Sequence, residues 1–227
     1  MKVRLIAKTI ICDEDLKKEL ASVGSENLIM YCARVSNPAN QTSGNTKLLD
    51  YCLKHGHVSI FEMANMVFEI ETSRAIAAQI LRHRSFSFQE FSQRYAAAQS
   101  IEVYEARSQD PKNRQNSNDD MEQHDKDWFQ WLQEEHNKQC MEKYKQALAR
   151  GVAKEQARFL LPLSTTTRLY MNGSIRSWIH YLQLRCGNGT QKEHQEIALA
   201  IRDLFVKELP IIGEALGWTS PATTTQG

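Results

Sequence analysis

The feature that most constrains this chain is a change of hydrophobic period near residue 60. Within 45–55, Leu48, Leu49, Cys52 and Leu53 recur at helical spacing, and the segment stops at His55-Gly56-His57. Within 60–71, Met66, Phe68 and Ile70 alternate with Val67, Glu69 and Glu71, which reads as a long strand with one polar-edged face. A chain carrying both periods lays amphipathic helices on a half-buried sheet.

The rest of the chain repeats these two kinds of segment. Residues 2–11 read as a strand, and helices are expected near 13–22 and 25–35. Helical spacing returns over 73–83, and a polar-aromatic loop follows over 85–98. Residues 105–125 hold almost no apolar anchor and read as a mobile surface insertion. A long charged helix is expected over 126–150, ending at Gly151, then a short helix from 152 to Pro162. Thr165-Thr166-Thr167 opens a strand-like stretch. Helices follow over 174–185 and 191–208, the last behind Thr190-Gln191-Lys192-Glu193, a capping box. Residues 217–227 read as a frayed tail. The expectation is α+β: a single helix-rich domain over 1–216.

Composition removes several classes of function. The 28 basic residues are balanced by 27 acidic ones, so a broad nucleic-acid surface is not expected, though a local anion pocket is allowed. No run of about 18 apolar residues could span a membrane. Lys8 interrupts the brief apolar N-terminus, so no signal peptide is read there. The five cysteines are odd in number and widely spaced, with no CxxC. They argue against a disulfide framework or structural zinc, and make the cytoplasm the default compartment, or a host's cytoplasm for a viral chain.

The densest polar constellation is Arg82-His83-Arg84 through Arg94-Tyr95. Arginine forks suit phosphate oxygens, and Arg82 and Arg84 are expected at a helix C-terminal end that favours cations. The following loop could fold back to bring Ser92 and Arg94 beside them. A solvated basic helix end paired with Glu90 is the plainer explanation, and Phe86, Phe88 and Phe91 argue for a sheltered loop instead. Beside these arginines the same aromatics would also suit a nucleotide- or RNA-binding module. In 174–185, Ile175, Trp178, Ile179 and Leu182 form an apolar stripe with Arg185 near its edge, so Arg185 is expected to be partly buried. From the residues alone, a structural salt bridge explains Arg185 as well as a functional role does. His55 and His57 lack an evident third and fourth metal ligand, so no metal site is expected.

The segment Arg82-His83-Arg84, Ser87, Glu90, Ser92, Arg94, Tyr95 resembles the signature of the flavin-dependent thymidylate synthases. Gln89 stands where that family carries Asn. His55-Gly56-His57 with Phe61-Glu62, Ala157-Arg158 with Leu161-Pro162, Arg176-Ser177 with Leu184-Arg185, and Gln191 with Glu193 resemble further motifs of the family, in its order, from about residue 30 to 205. Ile60, Met63 and Ser174 replace the family's Pro, His and Asn.

The resemblance implies a small, mainly antiparallel sheet and a homotetramer whose sites draw on several subunits. It implies thymidylate synthesis from dUMP, with methylenetetrahydrofolate as carbon donor and FAD, reduced by NADPH, as hydride source. By position, Ser59, Arg82, His83, Arg84, Glu90, Arg176 and His180 would bind FAD. Gln79, Arg82, Ser92, Gln93, Arg94, Arg158 and Arg185 would bind the nucleotide, and Arg185 would stabilise charge on the uracil. His57 would lie on the folate or flavin-access side. The other thymidylate synthases attack uracil with a cysteine that follows proline, and no cysteine here follows proline.

Overall fold

The alternating segment lies in the middle of a sheet. The structure is a computed structural model that describes residues 1–218; the tail expected over 217–227 falls mostly outside the described residues. Strand β1 (Lys2–Lys8) leads into helices α1 (Glu14–Leu20), α2 (Ser25–Ala33) and α3 (Lys47–Lys54). A 3-10 turn over Val58–Met63 precedes β2 (Asn65–Ser73), α4 (Arg74–Ile80) and β3 (Ser87–Glu90). A small hairpin, β4 (Ser108–Gln109) with β5 (Ser117–Asn118), precedes α5 (Gln123–Ala149) and α6 (Lys154–Ala157). Strand β6 (Thr166–Ser174) runs directly into α7 (Ile175–Arg185), followed by α8 (Lys192–Glu208) and α9 (Pro210–Ala215). The main sheet has the order β1-β2-β6-β3, and every pairing is antiparallel.

The two faces of this sheet differ as the alternation requires. Met66, Phe68 and Ile70 of β2 and Leu169 and Met171 of β6 are fully buried with Trp178 and Leu182 of α7 and Ile197, Ile201 and Phe205 of α8. Burying each such large side chain contributes about 1.5–3 kcal/mol. The opposite face is polar. There Glu69 accepts from the Tyr170 hydroxyl at 2.7 Å and from Arg4 Nε at 2.9 Å, and these two bonds hold its carboxyl below the usual range.

Several expectations change at the sheet's edge and at helix ends. The strand read over 60–71 starts later, because Val58–Met63 coils into the 3-10 turn. The segment 85–98 is not all loop: Ser87–Glu90 adds an edge strand to β6, with Phe88 turned to the core and Ser87 and Gln89 exposed. Four residues are too few for a period to show. The helix expected over 73–83 stops at Ile80, so Arg82 and Arg84 lie beyond its end.

The capping box before α8 does not form. Gln191 is the N-cap and makes no side-chain cap, while Thr190 Oγ1 donates to the Leu184 carbonyl at 3.4 Å. Glu193 is drawn away by ion pairing with Arg107. That pair also ties the surface insertion, with its hairpin, to α8. Helix α9 had no sequence expectation. Pro210 opens it, and the buried Glu26 carboxylate from α2 accepts the Ile212 amide at 2.8 Å, supplying the cap from 186 residues away.

Candidate functional site

The backbone divides the Arg82–Tyr95 run between two ends of one strand. Residues 82–86 form a turn where β6 passes into α7, and Ser177 Oγ of α7 donates to the Ser85 carbonyl at 3.2 Å. Strand β3 then carries the chain away, pairing Ser87 with Asn172 and Glu90 with Leu169. Its four residues advance about 13 Å. Ser92 and Arg94 therefore emerge at the opposite end of the sheet. The expected fold-back of this loop onto Arg82 does not occur within one chain, because edge pairing to β6 satisfies its backbone.

Around the first end, His83 is the centre. Arg185 Nε–H donates to His83 Nε2 at 2.9 Å, so the last residue of α7 closes on the turn after α4. Arg185 is partly buried, as the stripe predicts. It forms no ion pair among the described residues, and its hydrogen bond goes to the imidazole. Burial, then the charges of Arg185, His180 and Arg82, push His83 down to about 4. The ring is therefore neutral near pH 7 and can accept from a guanidinium. Arg82 and Arg84 are exposed and make no ion pair among the described residues, so Glu90 is not their partner. Instead Glu90 meets Arg74 at 3.0 Å and accepts from Thr167 Oγ1 at 2.8 Å.

The turn carrying Ser59 is joined to the start of α7 by an Arg176–Glu62 ion pair, in which both side chains are about half exposed. Ser174, which replaces the family's Asn, is the N-cap of α7: its Oγ accepts from the Ser177 amide at 3.3 Å. His57 is exposed and edges toward Tyr51, on which His55 stacks at 4.1 Å.

Beneath His83 lies an aromatic floor. Phe86 packs edge-on to Trp178 at 4.6 Å, and Tyr181 meets the His83 ring at 4.8 Å. Phe86 leaves no room for a side chain at position 173: a Cβ on Gly173 would lie 2.4 Å from its ring. Gln79 faces α8, where its Nε2 donates to Gln191 Oε1 at 2.6 Å and its Oε1 lies 3.3 Å from His194 Nδ1. His194 in turn meets the Tyr181 hydroxyl at 3.0 Å through Nε2.

Tyr181 and His194 were not expected from the sequence. A signal for His194 existed: with Ile197, Ala198, Ile201 and Phe205 it forms the core-facing stripe of α8, an unusual place for an imidazole.

At the second end, Arg94 pairs with Glu155 at 3.3 Å, which brings the 91–95 loop to the segment holding Arg158. The Arg158 guanidinium lies 5.5 Å from the centre of the exposed Phe159 ring. Ser92 is exposed, but Gln93 is buried and its Nε2 has no hydrogen-bond partner among the described residues. A cavity of about 230 Å³ opens beside Phe91 and Arg168, and another of about 360 Å³ beside Thr190 and Gln191. Neither is lined by Arg82, His83 or Arg94, so neither of these cavities marks either cationic cluster.

Comparison with known proteins gives this geometry a context. The family model described as thymidylate synthase complementing protein matches residues 20–211. The flavin-dependent thymidylate synthase of Synechocystis sp. is 54% identical over 221 residues, covering 96% of this chain and 100% of the relative. The probable flavin-dependent thymidylate synthase of Paramecium bursaria Chlorella virus 1 is 55% identical over 197 residues, covering 86% of this chain and 91% of the relative. Among solved structures, the UMP/dUMP methylase PolB from Streptomyces cacaoi, bound with 5-Br dUMP, aligns with a TM-score of 0.80 over 97% of each chain. Its 24% identity makes this a likeness of fold.

Proposed function

Because the chain belongs to the flavin-dependent thymidylate synthases, we propose that its two cationic clusters are the flavin and nucleotide halves of one composite site. The enzyme makes thymidylate by reductive methylation of dUMP. Methylenetetrahydrofolate would be the carbon donor and NADPH the reductant of the flavin. The observation that carries it is the Arg185–His83 contact, which joins two sequence-distant motifs at one point.

The side chains fit a flavin dinucleotide. Arg82 and Arg84, without an ion-pair partner among the described residues, offer guanidinium forks for phosphate oxygens, and Arg176, His180 and Ser59 stand on neighbouring elements. Bound there, FAD supplies the hydride, and the protein supplies orientation and charge. Glu90 acts one step back, holding Arg74 and Thr167 together.

Arg185 is the proposed catalytic residue. Its Nε–H is fixed by neutral His83, so the remaining guanidinium donors are pre-aimed. They would stabilise negative charge that builds on the uracil ring, a contribution usually among the largest in catalysis. Gln79 and Arg82 would contact the nucleotide from this end, and Ser92, Gln93, Arg94 and Arg158 from the other. His57 would border the folate side.

The distance between the two ends supports a homotetramer with shared sites: Arg94 and Arg158 of one subunit would complete the His83 end of another. Gln93 Nε2, which has no partner among the described residues, fits the same arrangement, since a ligand or a neighbouring subunit would satisfy it. An RNA-binding module is disfavoured, because Phe86 and Phe88 pack against the core and are not free to stack on bases. No helix among the described residues is long and apolar enough to cross a membrane.

The test is to incubate the purified protein with FAD, NADPH, dUMP and methylenetetrahydrofolate and to measure thymidylate. Formation that requires all four supports the reading. A colourless protein that binds RNA and forms no thymidylate would overturn it.

A further inference from the structure

Behind Gln79 the structure holds a polar chain that the proposed chemistry does not use. It starts inside the core. The Tyr181 hydroxyl lies 3.0 Å from His194 Nε2, His194 Nδ1 lies 3.3 Å from Gln79 Oε1, and Gln79 Nε2 donates to Gln191 Oε1 at 2.6 Å. Gln191 Nε2 then donates to Glu193 Oε2 at 2.8 Å. Tyr181 and His194 are fully buried, and Gln79 and Glu193 are partly so.

The chain has a direction, and proton placement sets it. Burial raises the Tyr181 phenol, so it keeps its proton and donates. Burial, with Arg185 and His83 nearby, pushes His194 down to about 3, so its ring is neutral and only one nitrogen carries hydrogen. With Nε2 accepting from Tyr181, that hydrogen sits on Nδ1 and faces Gln79. A carboxamide meets an N–H donor with its oxygen. Gln79 Oε1 is thereby turned inward, and its NH₂ is turned outward.

We propose that Tyr181 and His194 are positioning residues that lock the amide of Gln79, so that it meets the nucleotide as a hydrogen-bond donor. One hydrogen of the NH₂ is taken by Gln191 and the second is left for an acceptor oxygen on the ligand, such as a pyrimidine carbonyl. Without the inner donor only the exposed Gln191 would orient the amide, and each flip would turn the Gln79 oxygen toward that carbonyl and repel it. The inference rests on the reading that Gln79 contacts the nucleotide.

Its test measures dUMP affinity by calorimetry on the flavin-loaded enzyme, with flavin content and melting temperature as controls. His194→Phe keeps the ring and removes both nitrogens, and Tyr181→Phe removes one oxygen. Each should weaken dUMP roughly 3- to 10-fold, the worth of about one hydrogen bond, with flavin content unchanged. His194→Asn places an amide donor where Nδ1 stands and should restore affinity to within about twofold. In a Gln79→Ala background His194→Phe should have no further effect.

Two results overturn the inference while leaving Gln79 in the site: Gln79→Ala weakens dUMP but neither phenylalanine variant does, or the His194→Phe effect persists in full without Gln79. A Gln79→Ala variant that binds dUMP normally removes the contact itself, and the inference with it. Should His194→Phe fail to fold, Tyr181→Phe alone and in the Gln79→Ala background makes the same comparison.

Discussion

Gly173→Ala should destabilise the protein through its contact with Phe86. Gly173 lies in β6 opposite Met66, and its backbone is not in the left-handed region. Alanine in a strand would ordinarily gain roughly 0.5–1 kcal/mol over glycine. Here the new methyl would sit 2.4 Å from Phe86 Cδ1 and 2.5 Å from Cε1, about 1 Å inside ordinary contact. The ring cannot retreat freely, since Trp178 stands 4.6 Å away and Tyr181 5.8 Å away, centre to centre. Overpacking of this kind costs about 1–3 kcal/mol. At roughly 2–4 °C per kcal/mol for a chain of this size, the melting temperature should fall by about 2–12 °C. Phe86 follows His83 by three residues, so flavin retention should fall with it. Scanning calorimetry and the flavin-to-protein absorbance ratio measure both effects. In a Phe86→Ala background the same substitution should cost nothing or be slightly stabilising. An equal loss in both backgrounds, or no loss in either, would refute the packing explanation.

Arg185→Ala should retain flavin and fold normally while thymidylate formation drops about 10²-fold or more; near-normal turnover would remove Arg185 from the mechanism. Stability should fall in acid. His83 and His194 titrate at about 4 and about 3 in the fold against 6.5 in the unfolded chain, so the unfolded state takes up protons first. Their contribution is therefore full above pH 6.5 and is lost as pH falls from there toward the folded values. Buried His194 alone should remove about 2 kcal/mol between pH 7.5 and pH 5, with a smaller share from half-buried His83, and urea unfolding of the wild type and of His194→Asn should show the difference in slope. Glu26→Ala, which uncaps α9, should cost about 1–2 kcal/mol in the same assay, whereas Glu26→Gln keeps an acceptor and should cost less.

The sheet and helices were legible where a period had room to repeat. Met66, Phe68 and Ile70 show it over five residues, and Leu182 with Trp178 shows it over α7. Strand β3 was illegible because it is short and at an edge, and missing it misplaced Ser92 and Arg94. The capping box failed for a different reason: a distant arginine competes for Glu193, and no local pattern reveals such a competitor. The partial burial of Arg185 was readable from its place beside an apolar stripe, but its partner was not, since His83 lies 102 residues away. The Tyr181–His194 contact likewise joins two helices, and only their packing makes it.

The junction of β6 and α7 has no loop: Ser174 ends the strand and caps the helix. One residue inserted there would turn the helix by about 100° relative to the sheet. Arg185 would swing away from His83, and the apolar stripe would leave the core. The spacing from Thr166 to Arg185 therefore behaves as a fixed length, intolerant of insertion or deletion. The chain's freedom to vary in length belongs instead to 105–125, where an added residue alters a surface hairpin and leaves both cationic clusters where they are.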